Sequence, residues 1–253
     1  MLTSCCDHCF RIDFCSSKFS SGLKELADMC PNIKKLDISS CYDLVKDNNN
    51  LLNIPSKLLT ELNLSGLPLM SSAIVKQALT RLQSLTVIGL SGVPCIATDK
   101  FIIEEICDEF GHQLKALDLS MNPSLPDTFL RPIAHHCACL EKLNLSFCSS
   151  ITLESLRRFF EDDSKVQHLS YLALMQVKHV AFEMLELCVS KCYNLQSIYL
   201  DGLIEQVDDR IVECIANTCP KLARVGLKGC TKVFLFYMCS RSSYEPFSLN
   251  AMF

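Results

Sequence analysis

LEKLNLSFC, Leu140 to Cys148, places apolar residues first, fourth and sixth, and small or polar ones third, fifth and seventh. Side chains on a strand alternate between faces, so Leu143 and Leu145 point one way and Lys142, Asn144 and Ser146 the other. The same nine-residue pattern begins at Ile33, Leu59, Leu85, Leu114, Leu169, Leu195 and Leu222, with spacings of 26, 26, 29, 26, 29, 26 and 27 along the series. Eight in-phase copies constitute an internal repeat that supplies one short strand per copy. Because every crossover runs the same way, the strands stack as a parallel sheet.

The crossovers carry a second pattern at helical spacing i, i+3, i+4, i+7. It reads Leu23, Leu26, Ala27, Cys30; then Val75, Ala78, Leu79, Leu82; then Ile103, Ile106, Cys107, Phe110. Further copies start at Leu130, Leu185 and Ile211, and each begins ten or eleven residues before the next strand pattern. Short polar side chains precede most of them, namely Ser20 and Ser21, Ser71 and Ser72, Asp99, Asp127, and Asp208 with Asp209. Oxygens there can accept the free amide hydrogens of a first helical turn. A helix occupies more arc than a strand, so the stack must curve with its sheet inside. The fold predicted is therefore an α/β leucine-rich-repeat solenoid, a horseshoe of eight to nine repeats with a parallel concave sheet and convex helices.

Residues 9–230 form the repeat domain, 1–8 an N-terminal extension, and 231–253 a tail or makeshift cap over the open end. The segment Cys9-x-x-Ile12-x-Phe14 is a degenerate copy, 24 residues ahead of Ile33, and is expected to supply the first strand. Between Tyr42 and Leu58 an irregular crossover is expected, with a loop at Asn48-Asn49-Asn50. The stripe Leu156, Phe159, Phe160 runs into Glu161-Asp162-Asp163, where that helix is expected to end early.

Lys and Arg total 24 against 28 Asp and Glu, a net charge of −4 that speaks against nucleic acid as partner. No apolar run approaches the roughly 18 residues of a membrane span, and no secretory layout opens the chain, so a cytoplasmic or nuclear home is expected. The 17 cysteines fall mostly in repeat register: Cys41, Cys148 and Cys230 at the ninth position, Cys30, Cys137, Cys192 and Cys219 at helix ends, and Cys107, Cys188 and Cys214 on helix stripes. That placement reads as small buried hydrophobes in a reducing compartment rather than a disulfide framework. Cys5, Cys6, His8, Cys9 and Cys15 form one cluster, and Cys6-x-x-Cys9 is half of a zinc spacing. No second pair follows at finger distance, and Cys9 belongs to the degenerate strand, so no metal is expected. His135-His136-Cys137-x-Cys139 closes a helix in register with its sister repeats and reads as structural. Phosphate-loop, nucleophile-elbow and metalloprotease motifs are missing, so neither a catalytic residue nor a cofactor is expected.

The ninth-position Cys, the helix end Cys30-Pro31-Asn32-Ile33 with its twin Cys219-Pro220-Lys221-Leu222, and the strand from Leu143 to Cys148 resemble one class of repeat. It is the cysteine-containing leucine-rich repeat of F-box proteins; Gly22–Cys41 and Asp208–Cys230 look like two copies of its consensus. The resemblance covers Cys9 to Cys230. It implies the substrate receptor of a cullin-RING ubiquitin ligase, whose F-box grips the ligase adaptor while the horseshoe holds the protein to be ubiquitinated. Repeats that begin by residue 9 leave no room for an F-box within this chain, and a repeat-only scaffold or inhibitor acting by occupancy is the alternative. Adaptor and cullin would then be reached, if at all, through a segment not present here.

Third, fifth and seventh strand positions are expected to stand exposed on the concave face. In the middle these include Asp118, Lys142 and Asn144, and further on Tyr171, Met175, Tyr199, Asp201 and Arg224. Exposed Tyr and Met beside single charges have the composition of a protein-binding hot spot, and these eight residues are the predicted partner surface; the alternative reading is that the large side chains pack against the neighbouring strand or a tail.

Overall fold

A computed structural model describes residues 10–11, 22–42, 51, 53–54, 58–99, 101–161, 166–178 and 180–234. Among the described residues nine strands lie side by side in chain order as one parallel sheet. They are β1 (Phe10–Arg11), β2 (Lys35–Asp37), β3 (Glu61–Asn63), β4 (Val87–Gly89), β5 (Ala116–Asp118), β6 (Lys142–Asn144), β7 (Tyr171–Ala173), β8 (Ser197–Tyr199) and β9 (Arg224–Gly226). The helices are α1 (Gly22–Met29), α2 (Ser72–Leu79), α3 (Cys95–Thr98), α4 (Ile102–Phe110), α5 (Leu130–His136), α6 (Leu153–Glu161), α7 (Phe182–Lys191) and α8 (Asp209–Thr218). From α2 onward successive long helices pack side by side behind the sheet.

The strands pair with their repeat positions in register, so Leu36, Leu62, Ile88, Leu117, Leu143, Leu172, Ile198 and Val225 form one row across the sheet. First, fourth and sixth positions sink into a single core running from Leu23 to Cys230. Each leucine so buried contributes about 1.5–3 kcal/mol, which is what holds a coil that has no independent core of its own.

The ninth position is inside the coil, as its residue types imply. Cys148 Sγ donates to the Leu119 carbonyl at 3.1 Å and Cys230 Sγ to the Leu200 carbonyl at 3.3 Å. Asn122 does the same work more fully, its amide donating to the carbonyls of Leu90 and Leu119 at 2.9 and 2.8 Å while its oxygen accepts Val93 N–H. A small donor at this place satisfies carbonyls that the short strands leave over. Eight of the ten cysteines in register are buried, with Cys30 and Cys214 half-buried, and the described cysteines are free thiols. Cys137 rests against Cys107, sulfur to sulfur at 3.7 Å, which confirms a packing role for the helix-end Cys of that repeat.

Helix starts follow the polar residues in part. Ser71 accepts Ile74 N–H and Asp208 accepts Arg210 N–H. Asp127 opens a short 3-10 turn (Asp127–Phe129) that leads into α5, but its carboxylate accepts a bond from the Thr152 hydroxyl instead. Asp99 accepts from Phe101 N–H, and the extra turn α3 before it was not expected.

One register differs from expectation. β1 aligns Phe10 with Leu36 and Arg11 with Asp37, a spacing of 26, where the degenerate copy would have aligned Ile12. A two-residue slip preserves the alternation of faces, so the pattern could not distinguish the two registers. The cluster Cys5, Cys6, His8, Cys9 and Cys15, the starters Ser20 and Ser21, the loop Asn48–Asn50, Asp162 and Asp163, and the tail from Leu235 to Phe253 lie outside the described residues. Of the irregular crossover, Leu51 and Ile54 are described and feed the core.

Candidate functional site

The concave face is built from two kinds of strand. On β2, β3, β5 and β6 the fifth position is Asp37, Asn63, Asp118 or Asn144. Each side-chain oxygen accepts the backbone N–H of the serine two residues on, at 2.9, 3.0, 2.9 and 3.1 Å. Asp and Asn close such local turns readily because their short side chains reach their own backbone. The serines continue the ladder sideways, Ser120 Oγ to Ser91 Oγ at 2.8 Å, Ser91 N–H to Ser65 Oγ at 3.1 Å, and Met175 N–H to Ser146 Oγ at 3.2 Å.

At β7 the chemistry changes. Ala173 and Tyr199 occupy the fifth position, and Tyr171 and Tyr199 pack with ring centroids 5.4 Å apart. With Ala116 and Ala173, and with Val87 and Met175 against them, they form an apolar cluster separate from the main core. Burial pushes the Tyr171 phenol well above its ordinary titration range.

This corrects the expectation of exposure. Tyr171 is 5% exposed, Tyr199 8%, Asp118 3%, and Asn144 is buried too. Strands about 4.8 Å apart on the inside of a curve press each side chain between its neighbours, so large residues lie flat and short ones are covered. Lys142, Met175 and Asp201 are half-buried, and Arg224 stands exposed. Seven of the eight predicted residues thus lie on β6 to β9 or just after those strands, with Asp118 on β5. Asp118 and Asn144 belong to the polar ladder, where they hold the backbone.

Asp118 carries the cost of that position. Burial raises its carboxyl pKa, against the pull of hydrogen bonds from Ser120 and Asn144. Asp201 is held differently: Oδ1 accepts Lys228 N–H at 2.7 Å, while Oδ2 is buried without a partner. A side chain at Gly226 would collide with that oxygen and with the Tyr199 ring, which is why the smallest residue stands there.

A feature the pattern reading missed lies just beyond the strands. The eighth repeat position adopts positive φ in all eight copies: Ser40, Gly66, Gly92, Met121, Phe147, Gln176, Gly202 and Gly229. Its N–H donates to the seventh-position carbonyl of the next coil, from Ser40 to Ser65 through Gly202 to Lys228. Met121 and Phe147 are 54% and 39% exposed, so two adjacent coils raise apolar side chains along this rim. The recurrence of glycine at 66, 92, 202 and 229 was the available signal.

Other groups do not join this site. His136 leans on Asp108 at 3.1 Å at the back of the molecule, beside His135. A groove of about 490 Å³ between α5 and α6 lies there as well, with Arg158 paired to Glu154 at 2.8 Å. Among the described residues no group of three or more His, Cys, Asp or Glu is placed to hold a metal, and no helix is long and apolar enough to cross a membrane.

A family model described as Leucine Rich repeat matches residues 136–159, the end of α5 through β6 to α6. No curated protein matches the chain. Among solved structures, the leucine-rich repeat-containing protein LegL7 from Legionella pneumophila is similar at 22% identity and a TM-score of 0.56, over 82% of this chain and 69% of that one. Rad7, in its yeast complex with Elc1, is similar at 16% identity and a TM-score of 0.53, over 84% and 74%. These likenesses establish the leucine-rich-repeat fold.

Proposed function

We propose that this chain is a protein-binding module that receives its partner on the concave face of β6 to β9, and that it serves as the substrate-recognition part of a cullin-RING ubiquitin ligase. Leucine-rich-repeat solenoids are interaction scaffolds, built to offer a long curved surface. The observation that supports the location is the second apolar cluster, where Tyr171, Tyr199 and Met175 displace the polar ladder. An aromatic floor bordered by exposed charge has the make-up of an interface centre. The ligase assignment is supported by the resemblance of the repeats to the F-box class, and the likeness to Rad7, crystallised with Elc1, is compatible with it. Buried free thiols suit the cytoplasm or nucleus.

Affinity purification of the tagged chain from cells, with and without proteasome inhibition, tests both levels. Recovery of a ligase adaptor and a cullin, with a further protein that accumulates under inhibition, supports the full reading. A stable partner recovered without either ligase component removes the ligase assignment and leaves binding by occupancy.

A further inference from the structure

We infer that the partner segment received by β6 to β9 is acidic, an extended stretch of Asp or Glu around an apolar anchor; this rests on the concave reading above. The register sets the residues in rows. Lys142, Tyr171, Ser197 and Arg224 lie in one, and Asn144, Ala173, Tyr199 and Gly226 in the next. Backbone bonds from Phe147, Gln176 and Gly202 then place Met175, Asp201 and Lys228 in a third. Lys142, Arg224 and Lys228 therefore stand at three corners around the Tyr171–Tyr199 floor. Three strand steps separate Lys142 from Arg224, about 14 Å, and four residues separate Arg224 from Lys228, about 13 Å. An extended segment of four or five residues spans such a distance.

What distinguishes the concave positions of this half is that their side-chain cations are unspent and their carboxylates are engaged with the backbone. Lys35 is paired with Glu61 at 2.7 Å, Lys115 with Glu141 at 3.2 Å, and Lys232 with Glu205. Among the described residues the side-chain cations of Lys142, Arg224 and Lys228 have no carboxylate partner. Asp118 is buried under Ser120 and Asn144, and Asp201 is committed to Lys228 N–H with its other oxygen turned into the protein. Three side-chain cations thus face two backbone-engaged carboxylates here, although the whole chain carries −4. Such a surface steers an oppositely charged partner and rejects a basic one. The chain's own segment from Leu235 to Phe253 holds one basic residue, Arg241, and one acidic residue, Glu245, and so offers no complement.

The test uses the full chain and a labelled random copolymer of Glu and Tyr, read by fluorescence anisotropy. Binding should be at least tenfold tighter than to a Lys–Tyr copolymer and should weaken with added salt. The variant K142E/R224E/K228E should bind at least tenfold more weakly and lose most of that salt dependence. K142Q/R224Q/K228Q should fall between, and R131E on α5 should bind like the parent. Urea midpoints show whether each variant is folded. Equal binding of the Lys–Tyr copolymer, preference for a single-stranded oligonucleotide, or an unchanged affinity in both triple variants while they remain folded overturns the proposal. So does self-association of the parent that the charge reversal abolishes, which would make a second copy the occupant. A photo-crosslinking residue at Gln176, on the rim beside Met175, and another at Arg131 on the back separate the two claims. Crosslinks from Gln176 to the Lys–Tyr copolymer alone sink the acidic partner and keep the concave site. Crosslinks only from Arg131 sink both.

Discussion

At the eighth repeat position, glycine should be worth more than alanine in every coil, the reverse of its effect in a helix. Gly92 and Met121 are adjacent in this column, with φ of 62° and 58°. A non-glycine residue held there costs about 1–2 kcal/mol. Alanine recovers about 0.4–1 kcal/mol by restricting the unfolded chain. The balance favours glycine by about 0.8 kcal/mol at the middle of those ranges and by at most about 1.6 kcal/mol. Gly92 is the clean site, because a Cβ added to it would meet nothing closer than 3.8 Å, the Met121 Cβ. Gly66→Ala would add a collision, since its Cβ would lie 2.8 Å from Ser40 Oγ. Met121→Gly alone mixes backbone relief with lost side-chain contact, so the comparison needed is Met121→Gly against Met121→Ala. Exposed Gln77 in α2 supplies the control, where alanine should exceed glycine by about 1 kcal/mol. Urea denaturation at constant m reads all five variants through their midpoints. Alanine equal to or better than glycine at either 92 or 121 would refute the reasoning, and with it the claim that the rim is a strained, repeated turn.

Leu145→Ala, at a fully buried sixth position, should cost about 2–5 kcal/mol, whereas Lys142→Ala three places earlier in the same repeat should cost under about 0.5 kcal/mol by urea midpoint. Because burial raises the folded-state pKa of Asp118, the native state keeps its proton to higher pH than the unfolded chain does. Stability at this group is therefore greatest below the unfolded value near 3.9 and falls as pH rises through the folded one. Asp118→Asn keeps the acceptor that Asn63 and Asn144 provide in sister coils, so it should match the parent at low pH and exceed it at neutral pH in denaturation curves. Truncating Tyr171 and Tyr199 singly and together should show a coupling of about 0.5–1.5 kcal/mol and a loss of stability, since both are buried. Of the described thiols, exposed Cys139 should react quickly with a disulfide reagent, while Cys148, pushed by burial to about 12, and Cys95, to about 11, should wait for unfolding.

The sequence alone determined the phase of the strands, the side of the sheet that each residue faces, and the interior place of Cys148 and Cys230. Those facts rest on alternation with period two and on a fixed repeat length, both of which are local. Eight copies make such a pattern self-checking in a way a single strand is not. The register of β1 escaped it, because a slip of two residues leaves alternation intact and only pairing with β2 selects Phe10 as the partner of Leu36. Exposure on the concave face escaped it too. Whether Tyr171 lies open or flat depends on Tyr199 and Ala116, 28 and 55 positions away, and on the curvature that presses them together. The strain at Met121 and Phe147 was likewise decided by the fold. An N–H that must reach the next coil's carbonyl sets φ whatever residue stands there, so a side chain that would choose another conformation in isolation is held in this one by its neighbours.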